Sequence, residues 1–181
     1  ALTAVKLAAE LTAAGTEAVP IFWAATEDHD LAEVAEAFVI GRGRELAKIK
    51  LATDGGGISV GGVVLGDNID AAVAELFDAL PENTDEDLRR SLEDIWKPGA
   101  KLGDAFIAEI GSLLGRFGLI VADPLDAGLK QAAKPLYKAA IENADALVDA
   151  IIARDAVLRK RGFHSQVLVQ EDHFPLFYHD D

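Results

Sequence analysis

Four consecutive titratable side chains, Glu27-Asp28-His29-Asp30, follow the apolar run Ala18-Val-Pro-Ile-Phe-Trp23. Carboxylates beside an imidazole can supply a general base, orient the ring or hold a substrate ammonium. Crowded carboxylates also raise one another's proton affinity, which poises an acid or base near neutrality. The same residues equally fit a helix start, with Asp28 or Asp30 as N-cap and the others in water. Four contiguous ligands cannot all converge on one ion, and His164, His173 and His179 are far away in sequence, so no metal site is expected.

Other candidates are weaker. His164 opens the alternating run Phe163 to Gln170, directly after Arg159-Lys-Arg161. In a parallel sheet that is the end opposite the ligand crevice, so local sequence reads His164 as the head of a strand with a backbone partner. His173 and His179 read as surface residues. The glycines at 55–57, 61, 62 and 66 precede no Lys-Ser or Lys-Thr and open no helix, so they suit hairpin turns better than a phosphate loop. No Gly-x-Ser-x-Gly elbow is present, and the absence of cysteine excludes disulfides, thiolate metal sites and a Cys nucleophile.

The elements that would position the tetrad are legible in outline. Leu2, Val5, Ala8, Ala9 and Leu11 form a helical stripe that Gly15 stops. The run to Trp23 then reads as a strand buried on both faces. A helix feeding a strand that ends in polar residues is the pattern of an α/β sheet, whose ligands collect beyond the carboxyl ends of its strands. From Leu31 to about Ile95 the pattern changes. Ala37–Ile40, Glu45–Leu51 and Ile58–Leu65 read as short strands, separated by Gly41-Arg-Gly43 and Asp54-Gly-Gly-Gly57. A helix with Ile69, Val73, Leu76, Phe77 and Leu80 ends at Pro81. Thr84 with Asp87 resembles a capping box for a helix over Asp85–Trp96. The α/β pattern resumes with a helix from Lys101 to Phe117 and a short strand Leu119–Ala122. Asp123-Pro124 starts a further helix that reaches about Arg161, kinked or interrupted near Pro135 and closed by Gly162. We therefore expect an α/β, Rossmann-like parallel-sheet core from residues 1–36 and 100–181, with residues 37–99 as a small α+β insertion.

The totals restrict partners. The 181 residues carry 17 Lys plus Arg against 31 Asp plus Glu, a formal net charge of -14. That balance argues against nucleic acid and against an anionic membrane surface, both of which require clustered cations. No run approaches the roughly 20 apolar residues of a membrane span, and no signal peptide is visible. The chain contains no Met, and so reads as part of something longer or as a processed form.

Ile21-Phe-Trp-Ala-Ala-Thr-Glu-Asp-His-Asp30 closely resembles the bacillithiol synthase family, in which an apolar strand runs into an A-[ST]-E-D-H-D signature. Ala1–Leu7 is similar to the helix after that family's first loop, Phe117–Pro124 to a strand-to-helix junction, and Gly162–Val167 and Leu176–Tyr178 to later strand segments. The resemblance implies a nucleotidylyl-transferase-type Rossmann-like core whose first strand precedes Ala1, and a coiled coil beyond Asp181 that pairs two subunits. It implies a cytoplasmic ligase that joins L-cysteine to glucosaminyl-malate by amide formation, with a nucleotide such as ATP or ADP for activation. On this resemblance Glu27, Asp28 and His29 are the candidate catalytic residues, and Thr26, Asp30, His164 and Gln166 the candidate substrate-binding residues. The competing expectations are a catalytically silent binding or scaffold domain on the same fold, and a nucleotidyl-transfer enzyme acting on another small substrate.

Overall fold

The structure is a computed structural model, and it describes residues 1–53, 57–165 and 167–169. The chain divides into two compact units, Ala1–Asp126 and Ala127–Asp181.

In the first unit, helix α1 (Leu2–Ala13) ends at Gly15, whose φ of +90° suits a residue without a Cβ. Thr12 Oγ1 accepts the Ala18 N–H at 3.2 Å and fixes the turn into strand β1 (Ile21–Trp23). A short helix α2 (Leu31–Val34) leads to an antiparallel hairpin of β2 (Glu36–Ile40) and β3 (Leu46–Lys50). The hairpin closes through the Gly41 N–H on the Glu45 carbonyl, with Arg44 at a φ of +66°. Helices α3 (Asn68–Ala79), α4 (Glu86–Ile95) and α5 (Leu102–Leu114) follow, and then strand β4 (Ile120–Ala122). β1 and β4 are parallel neighbours, with Ile21 opposite Ile120, Phe22 opposite Val121 and Trp23 opposite Ala122. The chain between them thus makes a crossover, the connection that parallel strands demand.

The main apolar cluster joins Ile49 of the hairpin to Val63, Leu65, Ile69, Ala72, Leu102 and Ala105. Leu65 is 1 % exposed and Val63 2 %.

The structure corrects several expectations. The run Ile58–Leu65 is not a strand. It contains a 3-10 turn at Val60–Gly62, and its ladder pairing is limited to an isolated antiparallel bridge, Val64 to Lys101. Its apolar character serves burial within a connecting segment, which periodicity cannot tell from a strand. β1 is not buried on both faces: Phe22 packs against Phe106 of α5 with ring centroids 6.0 Å apart, while Ile21 and Trp23 are more than half exposed. Helix α4 is capped by Asp85, whose carboxylate accepts the Asp87 and Leu88 N–H groups at 2.9 and 3.1 Å. Thr84 donates instead to the Pro81 carbonyl.

The second unit holds α6 (Ala127–Glu142) and α7 (Ala144–Lys160). The interruption falls at Asn143, not at Pro135, which lies within α6. Proline removes one N–H, and the carbonyl it leaves without a helical donor belongs to exposed Gln131, where water can serve it. Gly162, at a φ of +84°, closes α7 as expected. Phe163–Ser165 and the described residues 167–169 form no strand. Ser165 instead turns back to donate to Asp155, which also accepts Arg159 Nε at 2.7 Å. The expected segments around Gln166, Gln170, His173, Leu176–Tyr178 and His179, and the turn at Asp54–Gly56, lie outside the described residues.

Candidate functional site

The tetrad occupies the loop that leaves the carboxyl end of β1 and enters α2. Asp28 accepts the N–H groups of His29 at 2.7 Å and Asp30 at 3.0 Å, folding the loop over its own carboxylate. These two backbone donors, and then the nearby His29, stabilise the charged form and hold the Asp28 carboxyl below its ordinary value of 3.8. The expected rise in proton affinity is therefore reversed at Asp28, because its backbone donors outweigh the partial desolvation that opposes them. Asp30 caps α2, accepting the Glu33 N–H at 3.4 Å. The helix-start reading is thus realised, but on a helix of a single turn that leaves all four side chains exposed.

The loop is pinned from beneath. The Gly61 N–H donates to the Thr26 carbonyl at 2.9 Å, and the Val60 N–H to the Asp28 carbonyl at 2.6 Å. Thr26 itself is 4 % exposed, and its hydroxyl donates to Asp123 Oδ1 at 2.5 Å. Asp123 follows β4 as Thr26 follows β1, so this bond ties the carboxyl ends of the two parallel strands together. The same Asp123 oxygen accepts the Leu125 N–H at 3.0 Å. Asp123 therefore shapes the turn ahead of α6, which begins only at Ala127.

His29 and Asp30 line an open cleft of about 860 Å³, together with Lys50, Leu51 and Thr53. A separate apolar cavity of about 290 Å³ lies among Val39, Ile49, Ala72, Val73, Leu76 and Trp96, with no tetrad residue in its wall. Thr26, Glu27, Asp28, His29 and Asp30 share one loop. His164 belongs to the second compact unit, and Gln166 is outside the described residues. Among the described residues no three His, Asp or Glu side chains are grouped as metal ligands.

Two residues of this neighbourhood escape a reading of the sequence. Asp123 carries only a local capping signal, and its partner lies 97 residues away. Lys50 ends an ordinary strand, and nothing in its local pattern announces the cleft.

A crossover-linked parallel strand pair with helices before and after it, carrying its polar loop at the carboxyl end, defines a Rossmann-like α/β domain. The family model described as "Bacillithiol biosynthesis BshC, N-terminal Rossmann-like domain" matches residues 1–181. The chain belongs to this family. It is similar to proteins named "Putative cysteine ligase BshC" from three organisms. It is 33% identical to that of Koribacter versatilis over 96% of this chain and 32% of the relative. It is likewise 33% identical to that of Solibacter usitatus, over 98% of this chain and 33% of the relative, and 35% identical to that of Salinibacter ruber, over 84% and 28%. The chain spans about a third of the length of these relatives. No helix among the described residues is long and apolar enough to cross a membrane.

Proposed function

We propose that the chain is the substrate-binding, Rossmann-like part of a cytoplasmic ligase that joins the carboxyl group of L-cysteine to the glucosamine nitrogen of glucosaminyl-malate. The observation that carries this reading is the tetrad's place at the carboxyl end of β1, beside the parallel β4 and opening on a cleft. Membership of a bacillithiol-biosynthesis family supports the choice of reaction. The division into a core of residues 1–36 and 100–181 and an insertion of 37–99 belongs to the same proposal. It is supported by the pairing of β1 with β4 from either side of the hairpin and of α3 and α4. Pairing of two subunits through a coiled coil remains part of the proposal for the longer protein.

In this reaction a C–N bond forms at the cysteine carbonyl carbon, one carboxyl oxygen leaves with its activating group, and the attacking nitrogen gives up a proton. Asp28, fully ionised at neutral pH, is a weak base and a good anchor, and it holds a substrate ammonium. His29 reaches the cleft and takes the proton from the attacking amine. Glu27 and Asp30 keep the loop's potential negative toward amines, and Lys50 offers a cation to a substrate carboxylate across the cleft. Activation of a free carboxylate calls for a nucleotide. Gly61 and Gly62 do not fit its phosphates, because their amides are spent on the Thr26 and Ser59 carbonyls.

Mass-spectrometric detection of the cysteine adduct, in the full-length protein that carries this domain, tests the reading. Asp28→Asn and His29→Ala are expected to lower product formation by about 100-fold. Equal product from the parent and both variants would remove these residues from the reaction.

A further inference from the structure

We infer that Asp123 is a positioning residue for the tetrad loop, acting through the buried hydroxyl of Thr26 rather than on substrate. The inference rests on the proposed function for its catalytic readout, and on geometry for everything else. Thr26 is the one polar residue among the buried ones described. Its hydroxyl donates to Asp123, one residue beyond the Ala122 carbonyl that accepts the Ala24 N–H at 3.0 Å, and so extends the tie between the two strand ends. Its carbonyl is held by the Gly61 N–H, and the Asp28 carbonyl two residues on is held by the Val60 N–H.

The packing around Thr26 leaves it nowhere else to go. A Cβ at Gly61 would lie 2.6 Å from the Thr26 Cβ and 2.9 Å from the Thr26 carbonyl oxygen. A Cβ at Gly103 would lie 3.0 Å from the Thr26 methyl group. Thr26 is thus fixed on one side by two glycine backbones and on the other by a carboxylate. The next four residues are the exposed groups that carry the proposed chemistry. A shift of about 1 Å at Thr26 passes directly to Glu27–Asp30, and misplacement on that scale costs about 100-fold in rate.

The test uses four variants in the full-length protein that carries this domain, assayed with L-cysteine and glucosaminyl-malate. Thr26→Ser keeps the donor, and Asp123→Asn keeps an oxygen that accepts both the Thr26 hydroxyl and the Leu125 N–H. Both are expected within about threefold of the parent kcat/KM. Thr26→Val keeps the shape without the donor, and Asp123→Ala removes the acceptor. Both are expected to fall about 100-fold. Parent-like activity in Thr26→Val and Asp123→Ala would overturn the inference. So would an Asp123→Asn variant as impaired as Asp123→Ala, because the charge itself would then be what the reaction needs. If Thr26→Val and Asp123→Ala do not fold, Asp123→Glu, which keeps the charge but displaces the acceptor by one methylene, takes their place: it is expected to fall about 100-fold, and parent-like activity in it would overturn the inference.

Should the parent make no adduct, the proposed reaction fails and the positioning role is read from amide hydrogen exchange instead. Thr26→Val is then expected to speed exchange of the Val60 and Gly61 amides at least tenfold relative to Thr26→Ser, with α4 unchanged. Equal exchange in the two variants would overturn it.

Discussion

Gly103 stands so close to Gly61 that a Cβ on it would meet the Gly61 Cα at 2.7 Å and the Gly61 carbonyl oxygen at 3.0 Å. Both obstacles are backbone, so neither can swing aside. Gly103→Ala is expected to lower unfolding stability by about 2 kcal/mol, a clash of about 3 less about 1 gained from removing a helical glycine. Gly111, in the same helix, has nothing within 4 Å of its would-be Cβ. Gly111→Ala is therefore expected to be neutral or stabilising by up to about 1 kcal/mol. Urea unfolding of the two variants side by side checks the contrast.

Asp28 is expected to titrate below 3.8 in the folded protein, because the Asp30 and His29 N–H groups favour its charged form. Since the folded value is the lower one, its contribution to stability is present above 3.8 and is lost as pH falls through the folded value. Nothing about Asp28 should then change between pH 5 and 8. Carbon-detected NMR titration of the side-chain carboxyl measures this directly, and a midpoint above 3.8 would contradict the loop geometry.

Trp96 Nε1 donates to Glu109 Oε2 at 2.9 Å, joining the end of α4 to α5 beside the apolar cavity. Glu109→Gln retains an acceptor and should cost little. Glu109→Ala leaves a half-buried indole N–H without its partner and is expected to cost about 1–2 kcal/mol. Chemical denaturation separates the two outcomes.

In the second unit, the Ser165 hydroxyl is the main influence holding the Asp155 carboxyl below 3.8, ahead of Arg159. Ser165→Ala should move the Asp155 midpoint up toward 3.8 while leaving the Arg159 contact in place. An unchanged midpoint would mean that the bend after Gly162 is not tied back to α7.

What could be read from the sequence was local. The strands at Ile21–Trp23 and Ile120–Ala122 show as short apolar runs, and the hairpin shows because its runs flank Gly41-Arg-Gly43. The signature at Thr26–Asp30 was visible as a motif, and the loop it forms follows from the strand before it. What sequence could not convey was pairing at a distance. Asp123 looks like any helix cap until Thr26 is found against it. Val60, Val63 and Leu65 are as apolar as a strand because they are buried at 4 %, 2 % and 1 % exposure in a connecting segment. Crowding of like charges predicted the wrong direction for Asp28, since the backbone donors that decide it depend on how the loop closes.

The two tryptophans sit in opposite surroundings, and this equips the molecule with its own pair of optical reporters. Trp23, more than half exposed three residues before Thr26, should emit at long wavelength and be readily quenched by iodide or acrylamide. Trp96, half-buried and bound to Glu109, should emit to the blue and resist both quenchers. Replacing either one by phenylalanine would leave a single-colour probe, of events beside the tetrad loop in one case and of the apolar cavity in the other.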